Sequence, residues 1–236
     1  LAERLNALAP GDSPKKTMFV TTGAEAVENA IKIARSHTGR RGIVAFDGGY
    51  HGRTMMTLGL TGKVAPSKTR FGPFPGEIYR APYPIAGHGI SEEASLKALD
   101  TLFRTDLDPS DCAAMILEPV QGEGGINVAS DEWLREIERI CREHDMLLIV
   151  DDIQAGCGRS GDYFGFDELY KSWISGEEIS LETSLVMLGY LNVLRIPAHI
   201  LNEVVFPSIE TPTSRLSDAA SRSSASDSLL EWAVEN

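Results

Sequence analysis

Met146-Leu147-Leu148-Ile149-Val150, followed at once by Asp151-Asp152-Ile153-Gln154, is the stretch whose reading decides the fold. Five apolar residues in a row leave no polar face, so a strand here must be covered on both sides. A helix pattern, Ser130–His144, precedes it, and another apolar run, Cys112–Leu117 (CAAMIL), precedes that helix. Strand, helix and strand, with both strands apolar throughout, predict an α/β fold: a mostly parallel sheet flanked by helices. The alternation extends upstream. Thr17–Thr21 (TMFVT) reads as a short buried strand. Ala24–His37 reads as a helix with Ala24, Val27, Ile31 and Ala34 on one face and Gly39 as its stop. Gly42–Phe46 (GIVAF) reads as a further strand. Ser91–Phe103 reads as a helix capped by Ser91, with Glu92 and Glu93 at its positive end. Leu1–Leu8 has an amphipathic helix pattern, and Lys63–Pro84, rich in Pro and Gly, reads mostly as loop.

The character changes near Asp167. Ser175–Leu201 holds apolar runs compatible with helix, and Ser208–Ser228 is dense in Ser, Thr, Pro and Ala, the composition of a disordered tail. The expected division is a large α/β domain over residues 1–166 and a divergent, partly disordered tail over residues 167–236.

Composition narrows the function classes. With 42 % hydrophobic and 24 % charged residues the chain can build a sizeable core. A net charge of -12 argues against nucleic acid as a partner. Cys112, Cys141 and Cys157 are odd in number and fit neither a zinc site nor a disulfide framework, so no metal is expected and a reducing, cytoplasmic setting is the simplest reading. No apolar run approaches the roughly 20 residues that span a bilayer, so no membrane partner is expected. The first residues are no signal peptide, and the missing initiator Met is compatible with a start inside a longer protein.

In parallel sheets ligands bind beyond the carboxyl ends of the strands, and four polar segments stand there. Thr21-Thr22-Gly23-Ala24-Glu25-Ala26 joins a strand to a helix start, where free N–H groups suit an anion. Gly48-Gly49-Tyr50-His51-Gly52-Arg53 gathers an aromatic ring for stacking, an imidazole and a guanidinium able to grip a carboxylate. Glu118-Pro119-Val120-Gln121-Gly122-Glu123 sets two carboxylates on a Gly-rich loop. Asp151 ends a central strand, where a dehydrated carboxylate needs a cationic or donor partner. Each segment alone is equally compatible with an ordinary capped turn, a solvated loop or a helix cap. No GxGxxG or Walker pattern follows a strand, which leaves a dinucleotide-binding enzyme without support.

Taken together and in order, TTGAEAVENAIKIAR, FDGGYHGRT, LTGKVAP, FGPFPG, EPVQGEGG and LLIVDDIQAGCGRSG resemble the class III aminotransferases from Leu1 to about Phe166. GGYHGRT and LTGKVAP are similar to the 4-aminobutyrate members in particular. The resemblance implies a fold-type I large domain, pyridoxal 5'-phosphate (PLP) as cofactor, a homodimer, and transfer of an amino group from 4-aminobutyrate or a similar omega-amino acid to a 2-oxo acid such as 2-oxoglutarate. It implies that Gly23 and Ala24 donate to the cofactor phosphate and that Tyr50 stacks on the pyridine. Asp151 pairs with the ring nitrogen, and Gln154 donates to the ring hydroxyl. Arg53 holds the distal substrate carboxylate, Glu118 lies near cofactor and substrate, and Glu123 is the acid that pairs with an arginine of the family's C-terminal domain.

The chain also departs from that pattern. Where the family places its cofactor-bound lysine in an AKS-type segment, Ser180 stands, and Lys171-Ser172 is the only echo, too early in the chain. The alternative expectation is therefore a catalytically inactive, truncated or frameshifted remnant, with Lys171 as the one weak catalytic candidate.

Overall fold

The computed structural model describes residues 1–9 and 14–166 in full, and the backbone of residues 184–188 and 193–197. The chain falls into two units, Leu1–Val204 and Val205–Asn236, and every described residue belongs to the first. Lys171 and the Ser208–Ser228 tail lie outside the described residues.

Three strands form the centre because they are apolar up to the two aspartates that end the last of them. Strand β2 (Gly42–Phe46), β4 (Cys112–Leu117) and β7 (Leu147–Asp152) are buried at every position and pair in parallel, β2 with β4 and β4 with β7. Strand β3 (Ile78–Ala81) adds in parallel to the free side of β2, and β8 (Ser184–Leu188) adds in parallel to β7. Strand β9 (Val193–Pro197) runs against β8, and β1 (Lys15–Phe19) runs against β9. The sheet order is β1-β9-β8-β7-β4-β2-β3. From β2 the chain goes to one side for β3 and returns to the other side for β4. That reversal opens a crevice at the carboxyl ends of β2 and β4. A small antiparallel pair, β5 (Val120–Gln121) and β6 (Asn127–Val128), folds the loop beyond β4 into a hairpin.

Side chains alternate across the sheet. Val44, Phe46, Met115, Leu117, Leu148 and Val150 enter one buried cluster, which also takes in Leu5 of α1 (Ala2–Leu8), Leu99 and Leu102 of α4 (Glu92–Thr105), and Trp133, Leu134, Ile137 and Cys141 of α5 (Asp131–Glu143). Helix α2 (Gly23–Thr38) presents Ala26, Val27, Ala30, Ile31 and Ala34, all buried, and lies along β4, β7, β8 and β9. None of its residues joins that cluster, which puts it on the opposite face. The sheet is thereby covered twice, as its apolar strands require. Phe46, Tyr83 and Trp133 form the densest knot. Trp133 meets each of the other two rings edge-on at 5.1 Å and donates its indole N–H to Ser95 Oγ at 3.2 Å.

Several elements differ from the sequence expectation. β1 starts two residues earlier than TMFVT and is only half-buried, with Phe19 exposed, because it is the sheet edge; its leading lysines suit that place. Ahead of the expected loop Lys63–Pro84, where the sequence reading expects no element, stands a short helix, α3 (Met55–Leu60), started by a reciprocal Thr54–Thr57 cap; β3 lies within the expected loop itself. Pairing to β2 makes β3 a strand despite flanking Gly and Pro. Ser184–Leu188 and Val193–Pro197 are strands rather than helices. Apolar runs as short as these do not discriminate the two, and β8 completes its ladder on β7.

Trp133→Ala is expected to destabilise the protein by about 3–5 kcal/mol, the range for deleting a large buried aromatic. Trp133→Phe, which keeps the ring contacts but loses the bond to Ser95, is expected to cost clearly less. Urea unfolding of the three proteins checks the order, and equal midpoints for Trp133→Ala and the parent contradict the packing described.

Candidate functional site

The four post-strand segments converge on one cavity of about 600 Å³ at the carboxyl ends of β2, β4 and β7. Its walls include Gly23, Ala24, Tyr50, Arg53, Glu118, Glu123, Asp151 and Gln154, so every site residue expected from sequence except Lys171 stands in a single place. His51, Ile153 and Arg159 line it as well, and sequence reading gave none of them a role.

The start of α2 is built to leave donors free. A helix begins with four N–H groups that lack an intrahelical partner. Here Thr22 is the N-cap: its hydroxyl accepts from Glu25 N at 3.2 Å, and the Glu25 carboxylate accepts from Thr22 N at 3.3 Å and Thr21 N at 2.6 Å. This reciprocal cap satisfies the outer pair. The N–H groups of Gly23 and Ala24 keep no protein acceptor among the described residues, and both residues face the cavity. Gly52, at φ +125°, packs its backbone so close to Ala24 that a Cβ would lie 2.8 Å from the Ala24 Cβ. The turn carrying His51 and Arg53 thus sits directly against the helix start.

Across the cavity stand the strand-end acids. Asp151 and His51 are both buried, and His51 Nδ1 lies 2.8 Å from Asp151 Oδ2. The other Asp151 oxygen accepts from Ile153 N at 3.2 Å. With Asp151 ionised, Nδ1 is the donor and the tautomer is fixed. His51 Nε2 is buried without a partner among the described residues. Sequence alone held little signal for this pair: its members are 100 positions apart, and only their shared place after a strand hinted at contact.

Glu118 ends β4, buried. It accepts from Tyr50 N at 2.9 Å, and Tyr83 donates its hydroxyl to the Glu118 carbonyl at 3.1 Å. Burial, and after it the charge of Asp151, pushes the Glu118 carboxyl up from its ordinary 4.5 to about 9; the backbone N–H groups of Tyr50 and Gly122 oppose that rise. Near neutral pH the cavity wall therefore carries a protonated Glu118 carboxyl beside Asp151. Tyr50 is half-buried, and its hydroxyl accepts from Arg53 Nε at 3.2 Å, which fixes the stem of an otherwise exposed guanidinium. Glu123, Gln154 and Arg159 are exposed at the rim. Bare N–H donors at one end, a ring on one wall, a dehydrated acid opposite and a guanidinium at the mouth suit a planar anionic ligand that carries a cationic ring atom. Among the described residues, no group of three His, Cys, Asp or Glu is placed to hold a metal ion, and no helix is long and apolar enough to cross a membrane.

The raised Glu118 carboxyl has a consequence for stability. Between pH 4.5 and about 9 the folded protein keeps a proton that the unfolded chain releases, so this group lowers stability progressively as pH rises through that window. Glu118→Gln is neutral throughout and escapes the loss. The stability of the variant relative to the parent is expected to rise with pH across the window in urea unfolding, and a pH-independent difference contradicts the assignment.

Comparison with known proteins agrees with this geometry. Residues 1–172 match the family described as aminotransferase class-III. The chain is 53 % identical over 169 residues to 5-aminovalerate aminotransferase of Pseudomonas putida, covering 72 % of this chain and 40 % of that protein. It is 48 % identical over 169 residues to 4-aminobutyrate aminotransferase of Escherichia coli, with the same two shares, 72 % and 40 %. It thus spans about 40 % of the length of the curated relatives it matches. Among solved structures, an (S)-enantioselective omega-transaminase of Thermomicrobium roseum superposes with a TM-score of 0.74 at 28 % identity, over 89 % of this chain and 48 % of that one. The parallel sheet with helices on both faces is part of the fold-type I transferase large domain, and the chain belongs to the class III aminotransferases.

Proposed function

We propose that the cavity receives PLP and serves transfer of an amino group from 4-aminobutyrate, or a similar omega-amino acid, to a 2-oxo acid such as 2-oxoglutarate. The observation that carries the reading is the pairing, in one cavity, of the two bare N–H groups at Gly23 and Ala24 with the buried Asp151. The residues fit this cofactor by chemistry. The helix start takes a phosphate, the Tyr50 ring takes a pyridine face, and Asp151 takes a protonated ring nitrogen. Gln154 is the donor to the ring hydroxyl. When bound, PLP supplies an aldehyde that captures amines and a ring that accepts electrons.

The chain's own part is to orient and to hold protons. Asp151, kept in place by His51 and Ile153 N, holds the proton at the ring nitrogen. Glu118 stays protonated beside it and so adds no second charge against the ring. Arg53, steadied by Tyr50, binds the distal carboxylate of the amino donor, and Glu123 at the rim tunes which acids enter. Relatives named for 5-aminovalerate, 4-aminobutyrate and 2-aminoadipate support a donor or acceptor with a carboxylate at its far end. A second copy of the chain is the proposed partner, in a cytoplasmic setting, with no nucleic acid or membrane involved.

A second reading is supported by the sequence after Phe166. Ser180 stands where the family has its cofactor-bound lysine, and Lys171 is the only echo. On this reading the 236-residue chain binds the cofactor but does not turn over.

One experiment separates the two. The purified chain is mixed with PLP, reduced with borohydride and mapped for labelled lysine, while glutamate formation from 4-aminobutyrate and 2-oxoglutarate is followed. Stoichiometric label on Lys171 with donor-dependent glutamate makes Lys171 the catalytic residue. PLP binding without label or glutamate establishes the inactive remnant. Absence of PLP binding overturns the cofactor site itself. Wherever turnover is found, Asp151→Asn is expected to leave PLP binding largely intact and to slow transamination by about a hundredfold or more, some 2.7 kcal/mol of barrier. Arg53→Lys is expected to harm 4-aminobutyrate far more than a neutral amine donor, and equal losses for both remove Arg53 from substrate selection.

A further inference from the structure

The cavity's two long loops, residues 47–53 with Tyr50 and Arg53 and residues 118–125 with Glu118 and Glu123, come from different strands. A buried amide ties them together at their roots. Gln121 is 1 % exposed. Its Nε2 donates to the Asp47 carbonyl at 2.8 Å, at the root of the first loop. Its Oε1 accepts from Asn127 Nδ2 at 3.2 Å, and that same nitrogen donates to the Gly124 carbonyl at 3.2 Å, closing the second loop. The amide is enclosed on both sides by backbone: a Cβ on Gly48 would lie 2.7 Å from Gln121 Oε1, and one on Gly124 2.6 Å from it. The Gly124 backbone is so near the first loop that its Cβ would also meet the Gly48 carbonyl at 2.8 Å. Two glycines let both loops close on one side chain, and that side chain spends its donor on one loop and its acceptor on the other. Gln121 does not line the cavity, so contact with a ligand does not account for it.

We propose that Gln121 is a positioning residue: it couples the ring-and-guanidinium loop to the two-carboxylate loop and so sets the spacing between Tyr50 and Arg53 on one wall and Glu123 on the other. A second tie between these loops, the bond from Tyr50 N to the Glu118 carboxyl at 2.9 Å, lies at the cavity wall itself. With Gln121 in place, the two loops move as one body. Without it, Glu123 and Arg53 drift independently, and the site loses its fixed distance between opposite charges. This inference rests on the reading of the cavity as a PLP site only for its functional consequence; the coupling of the loops stands apart from any ligand.

The test uses Gln121→Met, which keeps length and volume but loses both amide bonds, and Asn127→Ala, which removes the bonds to Gln121 and to the Gly124 carbonyl and spares the tie to Asp47. Amide hydrogen exchange of the ligand-free chain is measured alongside PLP affinity by dialysis and the visible circular dichroism of bound PLP. In Gln121→Met, exchange is expected to quicken together in residues 47–53 and 118–127 and to stay unchanged in β4 and β7. PLP affinity is expected to fall about tenfold, the scale of two neutral hydrogen bonds, with a changed dichroic band. Faster exchange in one loop alone overturns the coupling. A lower urea midpoint with an unchanged dichroic band makes Gln121 merely structural and overturns it too. Should Gln121→Met fail to fold, Asn127→Ala decides: faster exchange at Tyr50 as well as in its own loop upholds the proposal, and a change confined to its own loop refutes it. If the parent binds no PLP, the functional reading falls, while the exchange arm still decides the coupling.

Discussion

Glu118, Asp151 and Asp152 are carboxylates held nearly free of solvent at the ends of β4 and β7, the two strands at the centre of the sheet. A dehydrated carboxylate is tolerated only where donors converge on it or where it keeps its proton. Both solutions appear side by side. Asp151 draws the His51 imidazole and Ile153 N, Asp152 draws Gly165 N at 2.9 Å, and Glu118 takes Tyr50 N and keeps its proton. Each of these bonds fastens a different loop. The Gly-rich turn after β2 is pinned by Glu118 and Asp151, and the turn after β7 is folded back onto its own strand by Asp152. The cost of burying acids is thus what organises the backbone around the cavity.

The same physics explains what could be read in the sequence. Strands β2, β4 and β7 were legible because strands covered on both faces are read from continuous apolar runs, although β7 continues through the two buried aspartates beyond its run. Helices α2, α4 and α5 were legible through period and caps. β1 was misjudged as buried, since an edge strand with one apolar stretch looks like a central one until its neighbours are known. β3 was missed because tertiary pairing, not local propensity, makes a strand of Ile78–Ala81. β8 and β9 lay in runs too short to distinguish helix from strand. At the site, the residues that line the cavity stand just after strands, where the sequence directs attention. The groups that hold them could not be named that way. His51 meets Asp151 across 100 positions and Gln121 meets Asp47 across 74, and no local pattern carries such a contact.

The net charge of -12 raises the question of how the proposed anionic cofactor would be admitted. The answer lies in how three helices begin. α4 and α5 are capped by Ser91 and Ser130 and place acids, Glu92 with Glu93 and Asp131 with Glu132, in their first turns. Those acids answer the positive helix ends from within the chain. α2 has Gly23 and Ala24 at the same two positions, and its one first-turn acid, Glu25, is turned back onto Thr21 and Thr22. Its positive end is therefore left to an outside anion. Glu118 contributes no charge near neutral pH, and Arg53 stands at the mouth. Attraction of an anion needs only that the local field be positive within about a Debye length, some 8–10 Å at physiological salt. A chain can be acidic as a whole and still present, at one helix start, a local field that suits the phosphate of the proposed cofactor.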